Sequence, residues 1–548
     1  MPETDTAYSP QVTAAAAAAP PIQVLPGNRG PGLILRGAAV HAREDPAAEA
    51  AAWVKEVVGR WQGAGGAPEL ALVFGLGLGW HLRRLKELFP KLRVAVFEPD
   101  KGFLETFEKY NVLGRGDALR IFTDPGEFDR FTSSEVVYSD AVFPLLMVTP
   151  GYHLAFPREA ARFMDKVGEA VGRLKVIVKT KKATMSAFMD NLVENAWLAT
   201  RLPDLMLLKG RFMTRPAFAV GAGPSLTQNG ALLRGLGDKG LVIAAAAALK
   251  PLLRLGVCPD VVVVIESSDT SRFLRLTPEE KAKVRPGTVL AAALGSHPEH
   301  FRAEGFDKAL FHLSGGEAQL LSQGYFLPQG GNAGTACFAF AYVWGLSPVV
   351  LVGQDQAYLG PQLHAEGTVD SLFEADRFDS IRIPGIGGTA VESNTGLAAS
   401  VNWLAEAAAL ILSKGKGPRL INSSAHGAAV KGFEEIPLEA VVANLPAQPK
   451  TWTVSEAMRS LPRPSARELR GDLKQMSSLL SQTRQLVNRN VQRALVEMMN
   501  ISKVSAFMGE LLAPALAGGN RQGILKNIAW ADGVILKMLA SLEKGGEA

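Results

Sequence analysis

The chain has 548 residues, 47% of them hydrophobic and 20% charged, with a formal net charge of +5. That length exceeds one ordinary domain and predicts about three. The apolar content is that of a globular protein despite 33 prolines, and so small a charge on so long a chain excludes the electrostatic footprint of a nucleic-acid binder.

In chain order, residues 1–30 read as a disordered Ala/Pro-rich leader. Glu3 and Asp5 stand where a signal peptide would carry basic residues. Residues 31–180 are predicted to form an N-terminal Rossmann-like α/β domain. LALVFGLGLGWH over 70–81 gives a strand and a glycine turn, 82–89 a short helix, and RVAVFEPD over 93–100 a strand ending in acids. Gly75 and Glu98 lie 23 positions apart, close to the roughly 20 between a glycine turn and a ribose-binding carboxylate. A nucleoside site and a structural turn both fit. The basic run RLKVIVKTKK over 173–182 reads as a solvated helix face, with an acidic ligand or partner as the alternative.

The next stretch, 181–445, carries the chemistry. The apolar run from Pro216 breaks at Gly221-Ala-Gly-Pro-Ser225 into a helical pattern, which is how a main-chain nest for an anion is built. Gly221 and Gly223 carry no Cβ to bar a ligand, Pro224 and Ser225 suit a first helical turn, and Ser225 caps the helix or donates to a ligand. A second apolar strand follows over 241–248, then an amphipathic segment, then the β-branched run 261–265, which ends in Glu266, Ser267 and Asp269. Further on, QGGNAGTACFAFAYVWGL over 329–346 is a Gly/Asn turn and a helix apolar all round. SPVVLVG over 347–353 is another buried strand, which empties into Gln354, Asp355, Gln356 and Tyr358, with His364 beyond. Strands alternating with helices predict a parallel sheet with ligands at the carboxyl ends of its strands. PGIGGTAVESN over 384–394 reads as a mobile loop suited to closing on substrate.

Taken in order, GAGPSL, GVCPDVVVVIES, GGNAGTA, VVLVGQDQAY and a following His resemble the central domain of the motility-associated factor (Maf) glycosyltransferases of bacterial flagella. The same core is similar to bacterial sialyltransferases that use CMP-sugars and to the MptE-like pterin pyrophosphokinase. The resemblance covers roughly residues 180–435. It implies a Rossmann-like glycosyltransferase domain that moves a nonulosonic acid, such as pseudaminic or legionaminic acid, from a CMP donor to Ser or Thr hydroxyls of flagellin. Two departures stand out. Ala222 takes the place of the Asn usual in the family turn, and 244–248 is all alanine where the strand usually ends in Asn. Two polar nucleotide contacts are thus missing or supplied elsewhere.

Such a transfer must stabilise charge on the leaving phosphate and remove a proton from the attacking hydroxyl. The expected nucleotide-sugar cradle is Gly221, Gly223, Pro224 and Ser225 with Asn332, Gly334 and Thr335, joined by Gln354 and by Tyr358 as a donor to phosphate or carboxylate. Asp355, His364 and Glu266 are the titratable candidates for catalysis; a buried, capping Asp355 is the competing reading of that acid. No metal site and no firm cofactor beyond the CMP-nonulosonate donor is expected. A diphosphokinase using ATP and magnesium would need clustered carboxylates, and only Glu266 and Asp269 approach that in one segment. A noncatalytic flagellar assembly factor is the third class, favoured by Ala222.

Prolines around 446–464 mark a linker, and residues 446–548 are predicted to be a helical C-terminal domain. Leu469, Leu473, Met476, Leu480, Val487, Val491, Leu495 and Met498 make an apolar stripe interrupted at Thr483, and Gly518-Gly519-Asn520 divides the helices. A protein acceptor is a natural occupant of such a tail. Cys258 and Cys337 lie in apolar segments and read as small core residues, which suits a reducing cytoplasm. No apolar run reaches the roughly 20 residues of a membrane span.

Overall fold

A computed structural model describes residues 21–548 except 62–67, 69, 115–118, 133–143, 237–238, 322–324, 361, 369–379, 416, 446–452, 518–520 and 545–548. Most of the predicted leader, the 518–520 break and the side chains of the basic run lie outside the described residues. The chain forms two compact units, residues 1–179 and 180–548, and the helix Pro157–Asn195 runs across the boundary.

In the first unit β1 (Ile22–Leu25), β2 (Gly32–Leu35) and β3 (Ala38–His41) make an antiparallel sheet. A parallel sheet follows, of β4 (Leu70–Phe74), β5 (Arg93–Phe97), β6 (Arg120–Phe122) and β7 (Leu145–Val148), in the order β6-β5-β4-β7. All five residues of β4 are buried, the pattern of a strand covered on both faces. Phe74, Phe97, Phe128 and Phe163 pack ring against ring in this core.

The second unit is built on eight strands: β8 (Ala217–Val220), β9 (Leu241–Ala245), β10 (Val261–Val264), β11 (Val289–Ala293), β12 (Asp307–Phe311), β13 (Val349–Val352), β16 (Leu420–Asn422) and β17 (Glu434–Glu435). All pairs are parallel and the order is β12-β11-β10-β9-β8-β13-β16-β17. Strand order reverses between β8 and β13, and in open α/β sheets ligands bind beyond the carboxyl ends of the strands at such a point. Ala217, Ala219, Ile243 and Val263 face a core shared with the helices Ala333–Val343 and Thr395–Ser413. Phe218, Val220, Val242 and Ala244 face the opposite core, with Leu226 and Leu252. The helix Ala333–Val343 is buried at every position from Ala333 to Ala341, so it has no polar face to show.

Two segments differ from the sequence expectation. The strand from Leu241 stops at Ala245 and a helix, Ala246–Arg254, takes over, because an alanine run has no β-branched side chain to favour the pleat and the best helix propensity of any residue. The expected mobile loop is instead a hairpin of β14 (Ser380–Pro384) and β15 (Ala390–Asn394). It is pinned from outside: Tyr358 N–H donates to Glu392 O, Ile386 N–H to Gly427 O, and Ala429 N–H to Pro384 O.

Four helices close the chain, Ala466–Arg489, Val491–Val504, Ala506–Ala517 and Arg521–Lys544. Leu469, Leu473, Leu480 and Val487 of the stripe are buried, and Thr483 fits among them because its hydroxyl donates to Leu479 O at 2.8 Å. These side chains share one core with Leu249, Val262 and Leu290 of the sheet layer. The helix Thr395–Ser413 is long and apolar enough by composition to cross a bilayer, yet it turns Leu404, Ala408 and Ile411 into the sheet core.

Candidate active site

The Gly221–Ser225 turn follows β8, and Gly353 to Asp355 follow β13, so the two segments meet at the point where strand order reverses. Their main chains interlock: Gly221 N–H donates to Val352 O at 2.9 Å and Gly223 N–H to Gly353 O at 2.7 Å. Asp355 Oδ2 accepts from Ser225 N–H at 3.1 Å and from Ser225 Oγ–H at 3.0 Å. A Cβ on Gly223 would collide with that same carboxylate oxygen. Three of the four N–H groups expected to cradle a phosphate are therefore spent inside the protein. The fourth belongs to half-buried Ala222, and Pro224 has none. Burial holds the Asp355 carboxyl above its usual range although Ser225 and nearby His426 favour its charged form.

The residues after β13 also meet the N-terminus of helix Ala333–Val343. Asn332 caps it, its Oδ1 accepting from Thr335 N–H at 2.9 Å while its Nδ2 donates to Ser400 Oγ at 2.9 Å and Gln356 Oε1 at 3.3 Å. Thr335 Oγ–H donates to Asn332 O and accepts from Gly330 N–H. Buried Gln354 ties this helix to β8 by donating from Nε2 to Ala219 O and Gly334 O, at 2.9 and 3.0 Å, and its Oε1 has no hydrogen-bond partner among the described residues. A Cβ on Gly334 would sit 3.1 Å from the oxygen of that amide, which would have to shift by a few tenths of an ångström. Gly331, at φ 96°, lets the exposed turn approach the cap.

His364 is half-buried on a segment that docks on the β8 turn: Ala365 N–H donates to Ala222 O and Glu366 N–H to Thr227 Oγ. Tyr358 is buried and its hydroxyl accepts from Asn394 Nδ2 at 2.7 Å, which joins it to the hairpin. Glu266 lies two residues past the end of β10, two strands from β8, half-buried, with Oε2 accepting from Ile265 N–H at 3.0 Å. Loss of hydration holds its carboxyl above the usual range, and its charge in turn adds to the burial that raises the Cys337 thiol in helix Ala333–Val343. Asp269 points away from such a role; exposed, it accepts from Ser271 N–H. Among the described residues no three His, Cys, Asp or Glu side chains are grouped to hold a metal.

The structure thus brings the Gly221–Ser225 turn, Gln354, Asp355, the Asn332 cap and the His364 segment together, with Glu266 further along the same sheet edge. Sequence reasoning missed Ser400, Ser424 and His426. Ser424 Oγ accepts from Gln354 N–H, and exposed His426 adjoins Gly427, whose backbone packs on Asp355. For Ser424 and His426 the signal in the chain was NSSAHG at the end of the short apolar strand β16.

The glycine turn of the first unit is filled by its own side chains. Glu98 Oε2 accepts from Leu76 N–H at 2.9 Å and Tyr152 O–H at 2.8 Å, Gly77 N–H donates to Tyr152 OH, and Leu78 N–H to His41 Nε2. A Cβ on Gly75 would strike the Tyr152 ring. Glu98, the ribose carboxylate of the nucleoside alternative, is fully buried and already engaged, as the structural alternative requires.

Residues 186–361 match the family described as 6-hydroxymethylpterin diphosphokinase MptE-like. A Maf glycosyltransferase from Magnetospirillum magneticum AMB-1 aligns with a TM-score of 0.58 at 16% identity, over 96% of this chain and 89% of that one. The chain has the fold of a Maf glycosyltransferase. No curated protein sequence matches it. The Maf likeness extends beyond the matched family region to nearly the whole chain, N-terminal unit and closing helices included.

Proposed function

We propose that this chain is a glycosyltransferase that moves a nonulosonic acid, of the pseudaminic or legionaminic type, from a CMP donor to Ser or Thr hydroxyls of flagellin. The observation that carries the transferase reading is the reversal of strand order between β8 and β13, with a helix N-terminus tied to β8 there through Gln354 and a carboxyl held above its usual range on the same edge, in a fold shared with a Maf glycosyltransferase. Charge on the departing phosphate is met by the positive end of helix Ala333–Val343 and by exposed His426, because the Gly221–Ser225 turn has little main-chain capacity left. Glu266 is the leading base for the acceptor hydroxyl, since burial raises its carboxyl and makes it a stronger proton acceptor than an ordinary carboxylate. His364 serves beside the β8 turn, and Asp355 holds that turn in shape.

The second reading, an MptE-like diphosphokinase, is favoured by the family match over residues 186–361. Thermal unfolding with added ligands separates them. A ligand bound by the native state alone stabilises by RT ln(1 + [L]/Kd), so CMP is expected to raise Tm and S-adenosylmethionine to leave it unchanged. A rise with ATP and magnesium but none with CMP favours the kinase. Mass analysis of flagellin from cells with and without the gene then tests sugar and acceptor together.

A further inference from the structure

Among the described residues, two asparagines near the end of helix Pro157–Asn195 have only main-chain partners for their amide nitrogens. Asn191 Nδ2 donates to Ser267 O at 2.8 Å and to Gly295 O at 3.2 Å; Asn195 Nδ2 donates to Leu294 O and Ser296 O, both at 2.8 Å. Both asparagines are buried. The Phe188 ring, on the same helix, occupies the space a side chain at Gly295 would need. The carbonyls so gripped belong to the segments that follow β10 and β11, and these segments are themselves joined, His297 N–H donating to Glu266 O at 3.0 Å. The peptide carrying Glu266 is thus fixed from both directions, by its own carbonyl through His297 and by the next carbonyl through Asn191. Four carbonyls converge on two amide groups, and no other side-chain type of that size offers two donors from one planar nitrogen.

We propose that Asn191, supported by Asn195, is a positioning residue for Glu266, holding its carboxyl at the sheet edge where the acceptor hydroxyl must arrive. The inference rests on the glycosyltransferase reading for its chemistry, but the clamp itself is a property of the fold. The titratable groups around this loop are Cys337 in helix Ala333–Val343, Asp269 on the loop itself, and His297 and His300 after β11, His300 Nε2 accepting from Thr270 N–H.

The test uses the full chain with Asn191→Asp, which keeps the shape and removes both donors, and Asn191→Ala beside it. Hydrogen exchange is expected to speed up at least about ten-fold at residues 265–270 and 294–297 and to stay unchanged in the first unit. In flagellin glycosylation, kcat is expected to fall about 10- to 100-fold with the donor KM within about two-fold, since a small misplacement of a reacting group costs on that order. In Asn191→Ala the acid limb of the pH profile is expected to move to lower pH, because a loosened Glu266 regains water; the new carboxylate of Asn191→Asp opposes that shift by its like charge, so the limb is read from the Ala variant. Unchanged exchange, or a loss of kcat with an unmoved acid limb, overturns the proposal. If the parent protein neither binds CMP nor modifies flagellin, the glycosyltransferase reading fails, while the exchange result still decides the clamp. Should Asn191→Asp not fold, Asn195→Ala carries the same two readouts.

Discussion

Asp355 shows how one carboxylate changes what a glycine turn does. Its Oδ2 accepts both donors of Ser225, so Asp355→Ala leaves two buried donors unmet and is expected to cost about 1–3 kcal/mol, read as a fall in Tm. Asp355→Asn keeps an acceptor and is expected to be milder. The sign follows from the raised carboxyl: the folded state disfavours ionisation, so the wild type loses stability as pH rises past the ordinary value of 3.8, and the Asn variant escapes that loss. A variant less stable than Asp355→Ala would contradict this. Gly223→Val is expected to unfold the turn by striking Asp355 and Gly353 O, so loss of CMP binding should come with a lowered Tm. In the first unit Glu98 is pushed up to about 7, mainly by burial, against an ordinary 4.5, and burial lowers His41 from 6.5 to about 4. Glu98 therefore contributes stability that is full below pH 4.5 and lost as pH rises to about 7, a span worth roughly 3 kcal/mol. His41 contributes stability present above pH 6.5 and lost as pH falls toward 4. The two windows overlap between pH 4.5 and 6.5 with opposite signs, so the wild-type stability should change little with pH there, and Glu98→Gln should unmask a stability that rises with pH across that range.

Among the elements, helix Ala333–Val343 depends most on its cap. It is apolar throughout and its N-terminus lies at the sheet's carboxyl edge, so the orphan N–H groups of its first turn rely on Asn332. Asn332→Ala is expected to cost about 1 kcal/mol or somewhat more, because Ser400 and Gln356 lose a partner as well. The expected signature is a lowered Tm together with weaker CMP binding; an unchanged affinity would remove this helix end from the nucleotide site. The hairpin of β14 and β15 teaches a related point about elements. Its sequence, rich in Gly and Ser, is compatible with a lid, but pairing between Ser380–Pro384 and Ala390–Asn394 and bonds to Gly427 and Glu435 supply main-chain partners at both ends. Partners at that distance along the chain are invisible to local composition.

For the whole molecule, the closing helices share a core with the sheet layer. Leu469, Leu473, Leu480 and Met498 pack in one cluster with Leu249, Val262, Leu290 and Leu310. Truncation after about residue 445 is therefore expected to expose that face, shown by dye binding and loss of the cooperative transition, and not to leave an intact CMP-binding core. A soluble truncated chain with an unchanged Tm would refute this.

What the sequence determined by itself was local and periodic. Buried strands announced themselves as unbroken apolar runs, 70–74, 217–220, 261–264 and 349–352, because a parallel strand covered on both faces needs no polar residue. The glycine turns, the all-apolar helix and the closing helical stripes were legible for the same reason, and with them the α/β class and the strand ends that carry Glu266, Asp355 and Gln354. Tertiary structure alone decided who fills each turn. Asp355 lies 130 positions from Ser225, Tyr152 lies 54 from Glu98, and Asn191 lies 76 from Ser267. An open glycine nest and a plugged one have the same local sequence, since the plug arrives on a different strand; only the packing of β8 against β13, and of β4 against β5 and β7, brings a carboxylate or a phenol to the free N–H groups.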